Sequence, residues 1–116
     1  MIAGIYNITC EQGATFNRRF TITQPDGTPF YLNGYSARMQ VRRDVDSSTV
    51  LLSITSATEN IVLTNSLGII DVYLTPTQTA SLTRSGVYDL ELVHTSTGNV
   101  YRVVKGAFKL DKEVTK

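Results

Sequence analysis

The chain has few of the residues on which most enzyme chemistry depends. Its 116 residues include one cysteine, one histidine and no tryptophan. A single cysteine cannot form an intramolecular disulfide, so we expect Cys10 to be a small packing residue in a protein made in a reducing compartment. One histidine excludes a two-histidine metal site, and no G-x-S-x-G nucleophile pattern accompanies His94. We therefore expect His94 to be a surface residue at the end of a strand.

Excess charge and long apolar runs are also missing. Eleven basic and ten acidic residues give a formal net charge of +1, which gives no electrostatic reason to expect nucleic acid or a membrane surface as a partner. No stretch approaches the ~20 apolar residues of a membrane span, and the first ten residues lack the pattern of a signal peptide. These absences predict a soluble chain made in the cytosol.

The composition that remains is that of one folded domain. Hydrophobic residues make up 41% of the chain, which is ordinary for an ordered protein of this size. We expect a β-sandwich domain at residues 13–111, an N-terminal arm or first strand at residues 1–12, and a polar tail at residues 112–116. The sequence leaves open whether the first ten residues fold back or insert into a neighbour.

One segment predicts a strand, a capped turn and a second strand in direct succession. Apolar and polar residues alternate at 69–74 and again at 87–93, as in half-buried strands. Thr75 and Gln78 have the spacing of a capping box. That spacing predicts one short helical turn near residues 76–82.

Alternation continues along most of the chain. It is cleanest at residues 35–42, where Tyr35, Ala37, Met39 and Val41 are predicted to face inward and the arginines outward. Turn signals recur about every ten residues, and no segment keeps the 3.6-residue apolar period of a helix. These patterns predict an all-β fold, an antiparallel β-sandwich of about seven to eight strands.

Two positions interrupt the alternation. Arg18 shares the apolar parity of Phe16 and Phe20, so either its side chain snorkels at a sheet end or a bulge resets the register there. Gly106 lies inside the last strand pattern and predicts a bulge at that point.

A calcium loop is suggested and then excluded by the spacing of one acidic turn. Asp44, Asp46 and Ser48 imitate the start of such a loop, but Thr49 and Thr55 stand where glycine and glutamate are required. A solvated turn is therefore the better interpretation.

The remaining charged side chains lie on predicted outer strand faces. Asp89 and Glu91 are two residues apart on one strand, as glycosidase carboxylates can be, but nothing predicts a cleft around them. Arg38 and Arg42 share another face, with Arg19 and Arg43 expected nearby. Arginine is enriched at protein interfaces and pairs well with carboxylates. The candidate interface residues are therefore Arg38, Arg42, Asp89 and Glu91, and we expect no catalytic residue, cofactor or metal.

Three motifs carry a resemblance to a known class of proteins. They are G-x-x-F at residues 13–16, L-x-G-Y-x-A-x-x-Q-V-R at residues 32–42 and G-V-Y-D-L-E-L at residues 86–92. In their order along the chain they resemble small virion proteins of tailed bacteriophages. More distantly, they are similar to the N-terminal domain of the upper baseplate protein of phages of Gram-positive hosts. The resemblance implies an immunoglobulin-like (Ig-like) sandwich that builds a virion, and it implies no catalytic residues.

From this resemblance we expect a structural protein of a phage virion assembled in the host cytoplasm. The leading hypothesis is a tail, baseplate or fibre-attachment adaptor that contacts other virion proteins through its sheet edges and its Arg38 and Arg42 face. It would be homo-oligomeric in the particle, with no nucleic acid or membrane partner. The alternatives are a capsid decoration protein and a carbohydrate-binding module that uses its tyrosines. The sequence leaves tail or capsid position, copy number and host open.

Overall fold

The computed structural model describes residues 4–115, so residues 1–3 of the predicted arm and residue 116 of the predicted tail lie outside it. Nearly all of the regular structure in this range is β-strand. The strands are β1 (Gly4–Ile5), β2 (Ile8–Glu11), β3 (Phe16–Thr21), β4 (Tyr35–Arg42), β5 (Val50–Thr55), β6 (Ile61–Thr64), β7 (Ile69–Leu74), β8 (Gly86–His94) and β9 (Val100–Asp111). The helical elements are α1 (Pro76–Ala80) and a 3-10 turn (Asn65–Leu67). Neither has the length or apolar character that a membrane crossing would require.

The strands form two sheets that pack face to face. Sheet A has the order β1–β9–β8–β4–β5, with β2 also paired to β9, and sheet B has the order β3–β7–β6. Because β1 and β2 keep one register along β9, they act as a single interrupted strand, and the sandwich has eight strand positions. The predicted β-sandwich is confirmed. All pairs are antiparallel except the parallel pairing of β1 and β2 with β9.

The N-terminal segment folds back onto its own chain. Gly4 pairs with Val104 and Ile8 with Phe108, so residues 4–11 line one edge of sheet A. Tyr88 anchors the short connection between β1 and β2, since its hydroxyl donates a hydrogen bond to the carbonyl oxygen of Tyr6 at 2.5 Å. Residues 4–11 are therefore part of the sandwich.

The inner faces of the two sheets form one apolar core. The inward parity predicted for β4 is observed, and Leu90 and Leu92 of β8 are fully buried. The core also contains aromatic and aliphatic residues of sheet B and of β9, among them Phe16, Ile70 and Phe108. Burial of this apolar surface is the main force that holds the sheets together.

Helix α1 carries the chain from sheet B to sheet A, and its capping box is present as predicted. The Thr75 hydroxyl accepts from the Gln78 backbone N–H at 3.1 Å, and the Gln78 side chain accepts from the Thr75 N–H at 2.9 Å. Thr79 is fully buried and donates to the carbonyl oxygen of Ala14 at 2.8 Å. Leu82 closes the turn over the core with 2% of its surface exposed.

Arg18 snorkels, and the alternative of a bulge at this position is wrong. The register between β3 and β7 runs without interruption from Phe16 to Thr21. The Arg18 guanidinium lies over the Phe16 ring, 4.9 Å from its centroid, and donates to the carbonyl oxygen of Thr9 at 3.2 Å. The arginine therefore covers apolar surface with its stem and ties β3 to β2 at one side of the sandwich.

The bulge predicted at Gly106 lies elsewhere. The register of β8 and β9 shifts between Leu90 and Glu91, which pair with Val104 and Arg102 and leave Val103 as the extra residue. Val103 and Val104 are consequently both buried. Gly106 has a different role, because a Cβ atom there would overlap the carbonyl oxygen of Tyr6.

Candidate interaction surface

The four predicted interface residues lie on one surface, the outward face of β4, β8 and β9. We name this surface the outer face of sheet A and define it by Arg38, Gln40, Arg42, Val87, Asp89, Glu91, Arg102 and Lys105. In the β-ladder Arg38 lies opposite Glu91, and Asp89 lies opposite Lys105. Charges of opposite sign therefore face each other across neighbouring strands.

Two ion pairs cross this face. Arg38 Nε lies 2.8 Å from Glu91 Oε1, and Arg102 Nε lies 3.3 Å from Asp89 Oδ2. Both arginine side chains are about half exposed, at 52% and 53% of their accessible surface. Exposed pairs of this kind contribute at most about 1 kcal/mol to stability. Their main effect is to hold an ordered pattern of charge on an open sheet.

Arg42 makes a different set of contacts. Its guanidinium donates to the carbonyl oxygen of Ser47 and to the side-chain oxygen of Gln40, both at 2.9 Å. These bonds tie the β4–β5 loop to the outer face of sheet A. Of the two other arginines expected nearby, Arg43 pairs with Asp44 in that loop at 3.8 Å. Arg19 was wrongly placed, since it lies on the outside of sheet B and pairs there with Asp71 at 2.8 Å.

The carboxyl of Asp89 is harder to ionise than the arginines near it suggest. Burial, and secondly the negative charge of Glu91, raise its pKa above the usual value, and these effects outweigh Arg102, Arg38 and Arg42. An acid with a raised pKa in the folded state stabilises the fold below its unfolded pKa, and this contribution is lost as the pH rises through the folded pKa. The ionised form of Asp89 is therefore less favourable in the fold than it is for an unperturbed aspartate.

A shallow open groove of about 560 Å³ runs along the same face. Gln40, Asp89 and Lys105 are among its lining residues, and two of the apolar residues that line it are largely exposed. These are Ile5 of β1 and Val45 of the β4–β5 loop, which are 76% and 83% exposed. Apolar side chains next to an ordered set of charges give this face the mixed chemistry of a protein interface.

Several residues of this surface cannot be assigned to it from the sequence alone. Arg102 and Lys105 belong to β9, where the bulge at Val103 changes which parity faces outward. Ile5 reaches the face because β1 pairs with β9 a hundred residues away. Neither glycine nor proline marks the bulge at Val103. Without such a signal, the sequence does not show that Arg102 and Lys105 both face outward.

The residues considered for chemistry lie in three different parts of the chain. His94 ends β8, where its Nδ1 lies 3.1 Å from the hydroxyls of Ser96 and Thr97. Asp44 accepts from the backbone N–H of Asp46 within the turn. Burial raises the pKa of the Cys10 thiol to about 11. Among residues 4–115, no three histidine, cysteine or acidic side chains come together as metal ligands.

Comparisons with known proteins bear on the fold. No family model and no curated protein matches the chain. A structure of VGSC β subunits, from a study of multimeric cell-adhesive interactions, is similar with a TM-score of 0.52 at 10% identity, over 92% of each chain. The extracellular domain of the voltage-gated sodium channel β4 subunit, described as a parallel homodimer, matches with a TM-score of 0.51 at 11% identity, over 98% of this chain and 97% of that one. The NK cell receptor Nkp44 matches with a TM-score of 0.54 at 15% identity, over 96% of this chain and all of that one.

The chain has an Ig-like fold. At these identities the likeness concerns the fold alone. The chain lacks the intersheet disulfide of antibody domains, because its only cysteine is Cys10. Tyr88 lies near the start of a central strand, as the tyrosine of a tyrosine corner does. Its hydroxyl bonds to Tyr6 in the N-terminal segment, so it ties that segment to the core.

Proposed function

We propose that this chain is a non-enzymatic structural protein that works through protein–protein contacts made by the outer face of sheet A. The observation that carries the proposal is the ordered charge on that face together with the exposed apolar residues that line its groove. Arg38, Arg102 and Lys105 alternate with Asp89 and Glu91 across three strands. A surface of this kind can set the orientation of a partner through electrostatic complementarity.

The Asp89 carboxyl lines the groove on this face, where a partner would contact it. Its raised pKa shows that burial and Glu91 oppose its ionised form more than the nearby arginines favour it. A cationic side chain of a partner, placed over the groove, would stabilise that carboxylate. The apolar contact area would come from Ile5 and Val45, which are largely exposed in the free chain.

The setting that we propose is the particle of a tailed bacteriophage, with a tail, baseplate or fibre-attachment adaptor as the leading role. The support is the resemblance of the three motifs at residues 13–16, 32–42 and 86–92. Two structural neighbours are described in terms of cell adhesion, which is consistent with the use of this fold in protein–protein contact. A capsid decoration protein is the alternative within the same setting. Imaging of particles that carry a tagged copy would separate head from tail.

Replacing Arg38 and Arg42 together by serine is expected to weaken assembly and to leave the fold intact. Both side chains lie on an open face, so the free energy of unfolding should change by no more than about 1 kcal/mol. The number of copies per purified particle, measured by quantitative mass spectrometry, should fall at least about tenfold, which corresponds to ~1.4 kcal/mol of binding free energy. Chemical denaturation of the isolated variant checks the stability.

Arg19→Ser is the matched control, because Arg19 is an exposed, ion-paired arginine on the opposite sheet. It should leave the copy number unchanged. Normal incorporation of the double variant would contradict a role for this face. Absence of the wild-type chain from particles would contradict the virion setting.

A further inference from the structure

The edges of the two sheets are protected to very different degrees. An edge strand presents unpaired backbone groups, and proteins guard such edges with charge, proline, short length or interruption. Here the edges of sheet A are β5 on one side and β1 with β2 on the other, and the edges of sheet B are β3 and β6.

Three of these edges carry a visible guard. Arg18 and Arg19 place two cations on β3, and the Arg18 side chain bridges to Thr9. The edge formed by β1 and β2 is interrupted between Ile5 and Ile8, where the Asn7 side chain accepts from the Ala107 backbone N–H at 3.0 Å. Strand β6 has only four residues.

Strand β5 has no such guard over most of its length. Its six residues, VLLSIT, include no charge, no proline and no glycine. The register with β4 shifts once, between Val41 and Arg42, which pair with Leu52 and Val50. From Leu52 to Thr55 the strand is regular and its β propensity is high.

The hydrogen bonding of β4 shows which backbone groups of β5 point outward. The Ser56 backbone N–H donates to the carbonyl oxygen of Ala37 at 2.8 Å. In an antiparallel ladder, hydrogen-bonded and non-hydrogen-bonded pairs alternate. Ile54 and Leu52 therefore bond to β4, whereas the peptide groups of Ser53 point to the open edge.

We propose that β5 pairs with β5 of a second copy of this chain, antiparallel and about a two-fold axis. The same edge on both copies supplies the same donors and acceptors, as a symmetric contact requires. Self-pairing of a charged strand would place like charges close together, and the uncharged β5 avoids this cost. Strand addition to a free edge is a recurrent mode of protein recognition.

The pairing would change how the proposed function is carried out. A two-fold axis perpendicular to the sheet places the outer faces of both copies on the same side of one continuous sheet. The dimer would then present two interaction faces to a partner assembly, which raises avidity without a new type of contact. This consequence depends on the proposed function, but the β5 pairing itself does not.

Ser53→Lys tests the pairing directly. Ser53 is exposed and lies in the regular part of the edge, so introduced lysines would lie near each other in the dimer. In sedimentation equilibrium we expect a concentration-dependent dimer for the wild-type chain, and dimerisation at least about tenfold weaker for the variant. The melting temperature of the monomer should be unchanged. Thr21→Lys, at an exposed position on the guarded β3 edge, should dimerise like the wild-type chain.

Hydrogen exchange provides a second, independent measurement. The Ser53 amide should exchange rapidly in dilute solution and become protected at concentrations where the dimer forms, whereas the Ile54 amide should be protected in both. A wild-type chain that stays monomeric up to about 1 mM would overturn the proposal. Dimerisation of Ser53→Lys at wild-type strength, or a Ser53 amide that stays unprotected in the dimer, would do the same. The incorporation expected of the Arg38 and Arg42 variant concerns single copies of the chain, so none of these dimerisation outcomes changes it. Either proposal can therefore be contradicted while the other stands.

Discussion

Leu90→Ala is expected to lower the free energy of unfolding by about 2–5 kcal/mol, the range for truncating a large buried side chain. Leu90 is fully buried at the centre of sheet A, where it pairs with Met39 on one side and Val104 on the other. Both neighbours belong to the rigid sheet, so the cavity that alanine leaves has little room to collapse. Urea denaturation measures the loss.

Val87→Ala on the same strand is the control for this substitution. Val87 is half-buried and faces outward, so its truncation should cost less than about 1 kcal/mol. A loss below about 1 kcal/mol for Leu90→Ala would mean that the inward parity of β8 does not form the core.

Gly106→Ala is expected to destabilise the fold by about 1–3 kcal/mol, as overpacking does in a tight site. The added methyl group would overlap the carbonyl oxygen of Tyr6, which also accepts the hydroxyl of Tyr88. Relief of this overlap requires the N-terminal segment to move away from β9. Hydrogen exchange at the Tyr6 amide, which bonds to the carbonyl oxygen of Lys105 at 2.9 Å, should therefore become faster than in the wild-type chain.

Gly4→Ala adds the same methyl group on the same side of the sheet and serves as the matched control. The nearest atom to a Cβ at Gly4 is the carbonyl oxygen of Val103 at 3.8 Å, an ordinary contact. Its stability should be unchanged or slightly higher, because alanine restricts the unfolded chain. Equal stability of the two variants would contradict the close approach of Tyr6 to β9.

Local signals in the sequence are sufficient to predict most of the architecture. The alternation at residues 35–42 identified the inward face of β4, and the Thr75 and Gln78 spacing identified the capping box. Both signals reflect interactions within a few residues, which a single sequence displays directly. The sequence leaves two interpretations of Arg18 open, because a snorkelling side chain and a bulge interrupt the alternation in the same way.

Long-range contacts account for what the sequence could not supply. Gly106 is required by Tyr6, a hundred residues away in the chain, and no local pattern reveals that approach. Neither glycine nor proline marks the bulge at Val103, so parity alone places Arg102 on the same face as the buried Val104. The pairing of β1 and β2 with β9, which brings Ile5 to the outer face of sheet A, likewise depends on tertiary structure.

The candidate surface shows the same division between local and tertiary information. Arg38 and Glu91 could each be assigned to an outward strand face from their own neighbours. Their direct opposition follows only from the adjacency of β4 and β8 and from the register between them. A change of one residue in that register would move one member of the pair to the core.

Site-specific photo-crosslinking shows directly whether the outer face of sheet A contacts another protein. A crosslinking residue at Gln40, in the middle of the outer face of sheet A, is compared with one at Asn17 on the outside of sheet B, in assembled particles. If the proposed function is correct, crosslinks to another virion protein form from position 40 and none form from position 17. Crosslinks from position 17 alone, or none from position 40 in particles that contain the chain, would contradict it.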